Sequence, residues 1–427
     1  MSGEAGSAAG RAGTTAISAE EHLAWILERI GSLAERELPL SEASGLVLAR
    51  DAAALCDLPL WANSAMDGYA LRAGDVRGAD ASRPVPLRVV GEVAAGSAEN
   101  PAIGAGEAVR IMTGAPLPSD ADAVIPVERT RGDADGDPWA RAEVVVLAEI
   151  AAGANVRRRG EDTRAGDVLA RAGETLSAAR AAALAAAGVS RVAIRPRPRM
   201  AVLVTGSELR GPGEPLQRGQ IPESNSTLIA GLLRENGVSA DVLPVSRDDA
   251  AALHVQLGEL SETYDVIVTT GGVGPGRHDI VRIAVADEPD VRAVRVAVRP
   301  GQPQCTGRLR GGAWIFALPG NPVSAAVSFE LFVRPALRQL QGCREVERLR
   351  LPAVAAEGWR GAAGRLQVLP VRVVRGAAGL ECRPAVDPRG VSHAVGSHGS
   401  SDGYALVGAD RGDVAAGDIV DVVLVAS

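Results

Sequence analysis

Between residues 200 and 340 the chain alternates short apolar runs with helical stretches, and this rhythm constrains its fold more than any other feature. Residues 200–205 form an apolar run that ends in a glycine turn, and residues 228–235 read as helix. Residues 240–245 then read as strand, 248–262 as helix, 265–270 as a second apolar strand and 280–286 as helix. A buried strand over 314–318 leads into a long helix over 322–340, which Pro335 interrupts. Strands alternating with helices at this spacing predict parallel βαβ units and a doubly wound sheet.

The flanks obey other rules. The length of 427 residues suggests about three domains, so this α/β unit has neighbours. Ser18 and Glu21 spell a capping box, with Leu23, Leu27, Ile30 and Leu33 on one helical face behind it. A short helix is expected over 42–50. From residue 57 to about 155 short β runs are punctuated by Gly and Pro, which predicts a β-rich lobe, with residues 132–138 as an exposed turn. An Ala-rich helix over 177–187 ends at Gly188. Beyond residue 351 the helices stop, and runs over 366–374, 404–407 and 419–425 suit a small barrel or sandwich. Residues 1–17 read as a flexible tail without the apolar segment of a signal peptide, so a cytoplasmic protein is expected. The fold class is therefore α/β and multidomain.

Composition removes whole classes of function. The chain has no lysine, so all 45 basic residues are arginine, and Walker A nucleotide binding and Schiff-base chemistry drop out. A net charge of −7, with only five Trp, three Tyr and three Phe, argues against nucleic acid. No apolar run approaches the roughly 18 residues of a membrane span. Cys56, Cys305, Cys343 and Cys382 form no CxxC pair and read as reduced, mostly buried thiols. The five histidines include no HExxH. Gly399–Gly403 matches GxSxG, but no histidine follows it to complete a triad.

Ligands of open α/β sheets bind beyond the carboxyl ends of the strands, and that rule selects three loops. The first carries Thr205, Gly206, Ser207 and Glu208; the second runs from Thr269 through Gly271, Gly272, Gly274 and Gly276 to Asp279; the third holds Pro319, Gly320, Asn321 and Pro322. The glycine loop could bring backbone amides against an anion, or be no more than a tight turn, and it fails the dinucleotide fingerprint because Arg277 stands at the third glycine. Asn321–Pro322 reads equally as a helix start or an anion site. Glu208, Asp248 and Asp279 could converge on Mg²⁺, although carboxylates at strand ends are more often caps and turns. Arg157–Arg159 could clamp phosphate or form a solvated face.

Taken in order, NSAMDGYA, RIMTGAPLP, RRRGED, TGSEL, TTGGVGPGRHD, RPGQP and LPGNPVS resemble the molybdopterin molybdenumtransferases, which include the C-terminal domain of gephyrin. The match covers about residues 18–425. The resemblance implies a hinge segment assembled from 18–58 and 160–197, a β-rich lobe over 59–159, a molybdopterin-binding α/β domain over 198–342 and a C-terminal β-barrel over 343–427. It implies a homodimer whose active site pairs the α/β domain of one subunit with the lobe of the other. The implied reaction takes adenylylated molybdopterin and molybdate, releases AMP and is assisted by Mg²⁺, with the molybdopterin adenylyltransferase as donor of the substrate.

By motif match, Asp67, Thr113, Asp162, Glu208, Asp248 and Asp279 fall on the family's catalytic positions. Arg157, Thr205, Gly206, Gly271, Gly272, Gly274, Arg295, Arg299, Pro319, Gly320, Asn321, Pro322, Arg365 and Ser392 fall on binding positions. Glu208, Asp248 and Asp279 are the implied metal ligands. The chain departs from the pattern at Arg282, Arg295 and Arg299, where the family has lysines, and at Gln302, which replaces a basic residue. A planar fork is not a point charge, so the arginines bear on phosphate binding, and the charge lost at Gln302 bears on turnover rate or metal specificity. Two rivals remain at this level. One is the sister adenylyltransferase, which shares the α/β domain but lacks the lobe and barrel; the other is a non-catalytic scaffold of the gephyrin kind.

Overall fold

The computed structural model describes residues 16–132, 139–244, 249–276, 279–377 and 379–425. At its centre is a six-stranded sheet in the order Ala240–Val242, Met200–Val204, Val266–Thr270, Trp314–Leu318, Pro303–Arg308, Asp290–Arg295. The first four strands are parallel, as expected. The last two are antiparallel additions that the helical rhythm did not reveal, so the sheet is mixed rather than purely parallel. Met200 and Val202 face one core, whereas Ala201 and Leu203 face the other. Burial on both faces explains why this strand reads as an unbroken apolar run. Register aligns Val204 with Thr270 and Thr270 with Leu318, so three loops leave the sheet at one edge.

Helix boundaries follow local chemistry. The Ala19–Arg29 helix has the expected capping box, in which the Glu21 amide donates to Ser18 Oγ at 3.0 Å and the Ser18 amide donates to Glu21 Oε2 at 2.8 Å. The Ala250–Thr263 helix starts two residues later than expected, because Asp249 caps the amides of Ala251 and Ala252 at 3.0 Å each. The long helix after Asn321 contains a π segment over Phe329–Val333, with α-helix on either side. Proline at 335 cannot donate, and its ring crowds the preceding turn, so the chain widens there and the Arg334 amide donates to the Phe329 carbonyl.

The helix expected over 42–50 does not form. A short 3₁₀ turn over Leu40–Glu42 gives way at Gly45, whose φ of 74° ends any right-handed helix, and Val47–Leu48 is a strand. That strand and Arg36–Pro39 pair with Arg191–Arg195, while Ala52–Ala53 pairs with Val168–Ala170. The β-rich lobe is a six-stranded sheet whose central strands include Gly68–Leu71, Glu107–Ile111 and Val85–Val93. The turn expected over 132–138 falls largely outside the described residues. At the C-terminus five strands close on themselves: Leu366–Gly376, Gly379–Pro384, Leu351–Ala355, Ile419–Leu424 and Gly403–Val407, which pairs back to the first. Closure leaves no free sheet edge in this barrel. Its Leu366–Gln367 end pairs with Val298–Arg299 of the α/β domain, bringing the barrel alongside the loop edge of the central sheet.

Candidate active site

The loop edge of the sheet opens into a cleft of about 770 Å³. Thr205, Gly206, Glu208, Gly271, Gly272, Gly274, Asp279, Pro319, Gly320, Asn321 and Pro322 all line it, so most of the loop residues singled out from the sequence meet in one place. Positive φ and close neighbours explain two of the glycines. A Cβ on Gly271, at φ 91°, would lie 2.8 Å from the Thr205 carbonyl oxygen, and one on Gly206, at φ 151°, would lie 2.7 Å from Glu208 Oε2.

The glycine loop itself corrects one expectation. Its Gly274 and Gly276 amides donate to Asp279 Oδ1 and Oδ2 at 2.8 and 2.5 Å, so they already hold a carboxylate and do not face outward to a phosphate. Arg282 completes the clamp from the other side, donating from Nε to the Gly274 carbonyl at 2.8 Å and from Nη2 to the Gly276 carbonyl at 3.3 Å. Here arginine in place of lysine has a structural use, since one planar fork spans two carbonyls. Asn321 begins its helix with Pro322 but makes no side-chain cap.

Glu208 and Asp279 share the cleft, but Asp248 lies outside the described residues. Among the described residues no three His, Cys, Asp or Glu side chains gather closely enough to hold a metal ion.

A smaller recess of about 160 Å³ adjoins the cleft and shares Gly301 and Ser324 with it. Arg299, Arg365, Arg389, Gln302 and Ser392 line this recess, and no carboxylate does. Arg299 Nη2 donates to the carbonyls of Pro388 and Arg389 at 3.2 and 3.4 Å and so ties the α/β domain to a barrel loop. Arg389 is held in turn by both carboxylate oxygens of Asp387, with Nη2 to Oδ2 at 2.9 Å. Arg295 does not line the recess, but its Nη2 donates to Gln302 Oε1 at 3.1 Å. That bond turns the Gln302 amide nitrogen away from Arg295, so its N–H groups remain to donate elsewhere.

Four predicted residues lie on or beside the lobe, away from the cleft. Asp67 and Thr113 meet each other on the lobe, where Asp67 Oδ1 accepts from the Thr113 amide at 2.7 Å and from its hydroxyl at 2.8 Å. Those two donors hold the Asp67 carboxyl below the usual carboxylate range. Arg157 pairs across to Asn63 on the same lobe. Asp162 lies at the lobe's base, where its amide donates to the Leu58 carbonyl at 3.1 Å.

Other cleft residues escaped the sequence reading. Glu223 and Asn225 are nearly buried in the cleft wall, and Asn225 Nδ2 donates to the Gly320 carbonyl at 2.7 Å. Their signal was available, because the loop after Thr205 runs on to residue 224 and returns to the sheet edge through the Leu209–Arg210 and Ile221–Pro222 pairing. Arg389, in the recess, and His393, in the cleft, come from the barrel, where strand periodicity gives no such signal; only the resemblance touched the Gly390–His393 stretch.

Comparison with known proteins agrees with this architecture part by part. The family described as MoeA N-terminal region (domain I and II) matches residues 17–188. The probable molybdopterin binding domain matches 201–339, and the MoeA C-terminal region (domain IV) matches 352–425. A molybdopterin molybdenumtransferase 2 of Mycobacterium tuberculosis is 39% identical over 356 residues, covering 82% of this chain and 86% of the relative. A molybdopterin molybdenumtransferase of Staphylococcus aureus is 32% identical over 331 residues, or 77% of each chain. The crystal structure of a molybdopterin biosynthesis moeA protein from Pyrococcus horikoshii superposes with a TM-score of 0.80 at 27% identity, covering 96% of this chain and all of that one.

Lobe, cleft-bearing α/β domain and closed barrel together define a transferase of molybdenum cofactor biosynthesis. The chain belongs to the MoeA family. The matches at both ends, over 17–188 and 352–425, separate it from a lone molybdopterin-binding domain of the adenylyltransferase kind.

Proposed function

We propose that the large cleft receives adenylylated molybdopterin and that the arginine recess receives molybdate, so that metal transfer and AMP release occur where the two adjoin. The observation that carries this reading is their shared wall of Gly301 and Ser324. A recess lined by three arginines, two serine hydroxyls and an amide, without a carboxylate, favours a compact oxyanion. The larger cleft, with backbone turns, Thr205 and partly buried carboxylates, suits an extended polar ligand. Mg²⁺ commonly takes one or two carboxylates together with substrate phosphates. Glu208 and Asp279 fit that pattern. When bound, the ion would neutralise charge on the pyrophosphate.

The same reading makes the working unit a homodimer. Asp67 and Thr113 lie on the lobe, outside their own chain's cleft, and beside them Leu60, Trp61 and Met66 are 46%, 50% and 39% exposed. Exposed apolar side chains next to an isolated functional pair suit coverage by a second copy. A cytoplasmic location and supply of substrate by the molybdopterin adenylyltransferase complete the proposal. No helix among the described residues is long and apolar enough to cross a membrane.

Molybdate-dependent AMP release from adenylylated molybdopterin tests the reaction; release that ignores molybdate would overturn it. Subunit mixing tests the shared site. Asp67→Ala and Arg365→Ala chains should each be inactive. Random mixing makes half the dimers mixed, each with one intact site, so about a quarter of wild-type activity should return. No recovery on mixing would refute the cross-subunit arrangement.

A further inference from the structure

The barrel contributes an unexpected side chain to the cleft. Residues Val391–His393 form one 3₁₀ turn, and neighbours on it serve different compartments: Ser392 lines the arginine recess, while His393 lines the large cleft. The turn therefore sits on the boundary between the two proposed substrates. His393 is also distinct among the described histidines. His22 Nδ1 accepts from Arg292 Nη2, His254 Nδ1 lies 2.7 Å from the Ala284 carbonyl, and His398 Nε2 lies 3.0 Å from the Tyr404 hydroxyl. His254 and His393 are both exposed, but of these four only His393 borders the cleft and has no hydrogen-bond partner among the described residues.

The family's reaction has a proton problem at this boundary. Joining a dithiol to a tetraoxo dianion breaks two sulfur–hydrogen bonds and one metal–oxygen bond, and forms two metal–sulfur bonds. The departing oxide leaves as water with both thiol protons, and the total charge stays at −2. Those protons start on the pterin side and finish on the oxyanion side. Arginines cannot carry them, since guanidinium does not deprotonate in proteins. Imidazole can accept and return a proton near neutral pH.

Resting on the two-compartment reading above, we propose that His393 is a catalytic residue that relays protons from the pterin thiols to the departing oxide of molybdate. It takes a proton from one sulfur as that sulfur bonds to the metal, then delivers it to the oxide; the second proton follows the same route. Ser392, one residue away, holds the oxyanion while this occurs. The charged groups around the relay are Glu208, Glu223 and Asp279 in the cleft, and Arg299, Arg365 and Arg389 in the recess. His398 lies beyond it on the same segment, and the Pro322–Ser328 helix packed against the turn has no titratable side chain.

The test uses the full chain with adenylylated molybdopterin and molybdate, following metallated product and AMP in His393→Ala and His393→Gln. Arg365→Ala is the control for the recess. Both His393 variants should bind molybdate within about twofold of wild type, yet lose kcat on the order of 10²-fold. The fall in wild-type kcat at acid pH should vanish in His393→Gln, and added imidazole should restore part of the turnover of His393→Ala. A kcat within threefold of wild type, an unaltered pH profile, or a loss confined to molybdate affinity would each overturn the relay and leave the recess standing. If instead wild type binds no molybdate, or Arg365→Ala binds it equally well, the two-compartment reading itself falls.

Discussion

Acidification should loosen the contact between the first helix and the α/β domain through one buried histidine. His22 is fully buried on the Ala19–Arg29 helix, with its ring edge-on to Phe332 at 4.7 Å between centroids. Its Nδ1 lies 2.8 Å from Arg292 Nη2, and that guanidinium in turn stacks 3.8 Å over Trp25. Arginine can only donate, so Nδ1 must accept and the proton sits on Nε2. Burial first, and the adjacent Arg292 charge second, push the His22 pKa down from 6.5 to about 3.

The folded state therefore binds fewer protons than the unfolded chain between these two values. The stabilisation is full above pH 6.5 and drains away as pH falls. Each pH unit below 6.5 costs about 1.4 kcal/mol, so roughly 2 kcal/mol is gone at pH 5. Trp25 and Trp314 lie 6.3 Å apart at this contact and report on it by fluorescence. Urea unfolding at pH 7.5 and 5.0 should show a larger acid loss in wild type than in His22→Phe, by about 2 kcal/mol. Equal losses in the two proteins would refute the argument, because the variant has nothing at position 22 to titrate.

Asp279→Asn should lower AMP release on the order of 10²–10³-fold, as expected for removing one preorganised charged group. It should also cost roughly 1.5–3 kcal/mol of loop stability, because an amide can accept from only one of the Gly274 and Gly276 N–H groups. Wild-type turnover in this variant would remove Asp279 from the site. Arg299→Lys should weaken molybdate binding roughly 3–10-fold and leave the affinity for adenylylated molybdopterin unchanged, because one ammonium cannot face both the recess and the Pro388 and Arg389 carbonyls. Calorimetric titration of each ligand checks this, and an unchanged molybdate affinity would show that the fork is dispensable.

The uneven legibility of this chain has a physical cause. Thr205, Gly271 and Pro319 could be found from sequence because parallel strands of similar register end at one edge, and local apolar periodicity locates each strand end. The antiparallel strands Asp290–Arg295 and Pro303–Arg308 were missed because the first is interrupted by charges and the second carries Gln, Thr and Gly instead of an apolar run. Arg295 and Arg299 consequently had no structural place until the resemblance supplied one. The purpose of Asp279 was legible in kind but not in detail. Its position after the glycines marks it as a loop residue, but the choice between binding a ligand and binding the loop's own amides is made by a turn of a few residues.

The barrel's contribution was the hardest to read, and for a general reason. Arg365, Arg389, Ser392 and His393 reach the sheet edge only because Val298–Arg299 pairs with Leu366–Gln367 across more than 60 residues of sequence. No periodicity or spacing within the barrel encodes that docking. Charge supplies a partial substitute: three arginines brought to one recess without a carboxylate repel one another, and such a cluster is stable in a folded protein chiefly when an anion or a backbone carbonyl answers it. Arg299 is answered by carbonyls and Arg389 by Asp387, but no side chain or carbonyl among the described residues answers Arg365. The recess therefore holds a charge that its own side chains leave uncompensated at Arg365, and the oxyanion proposed above would complete it.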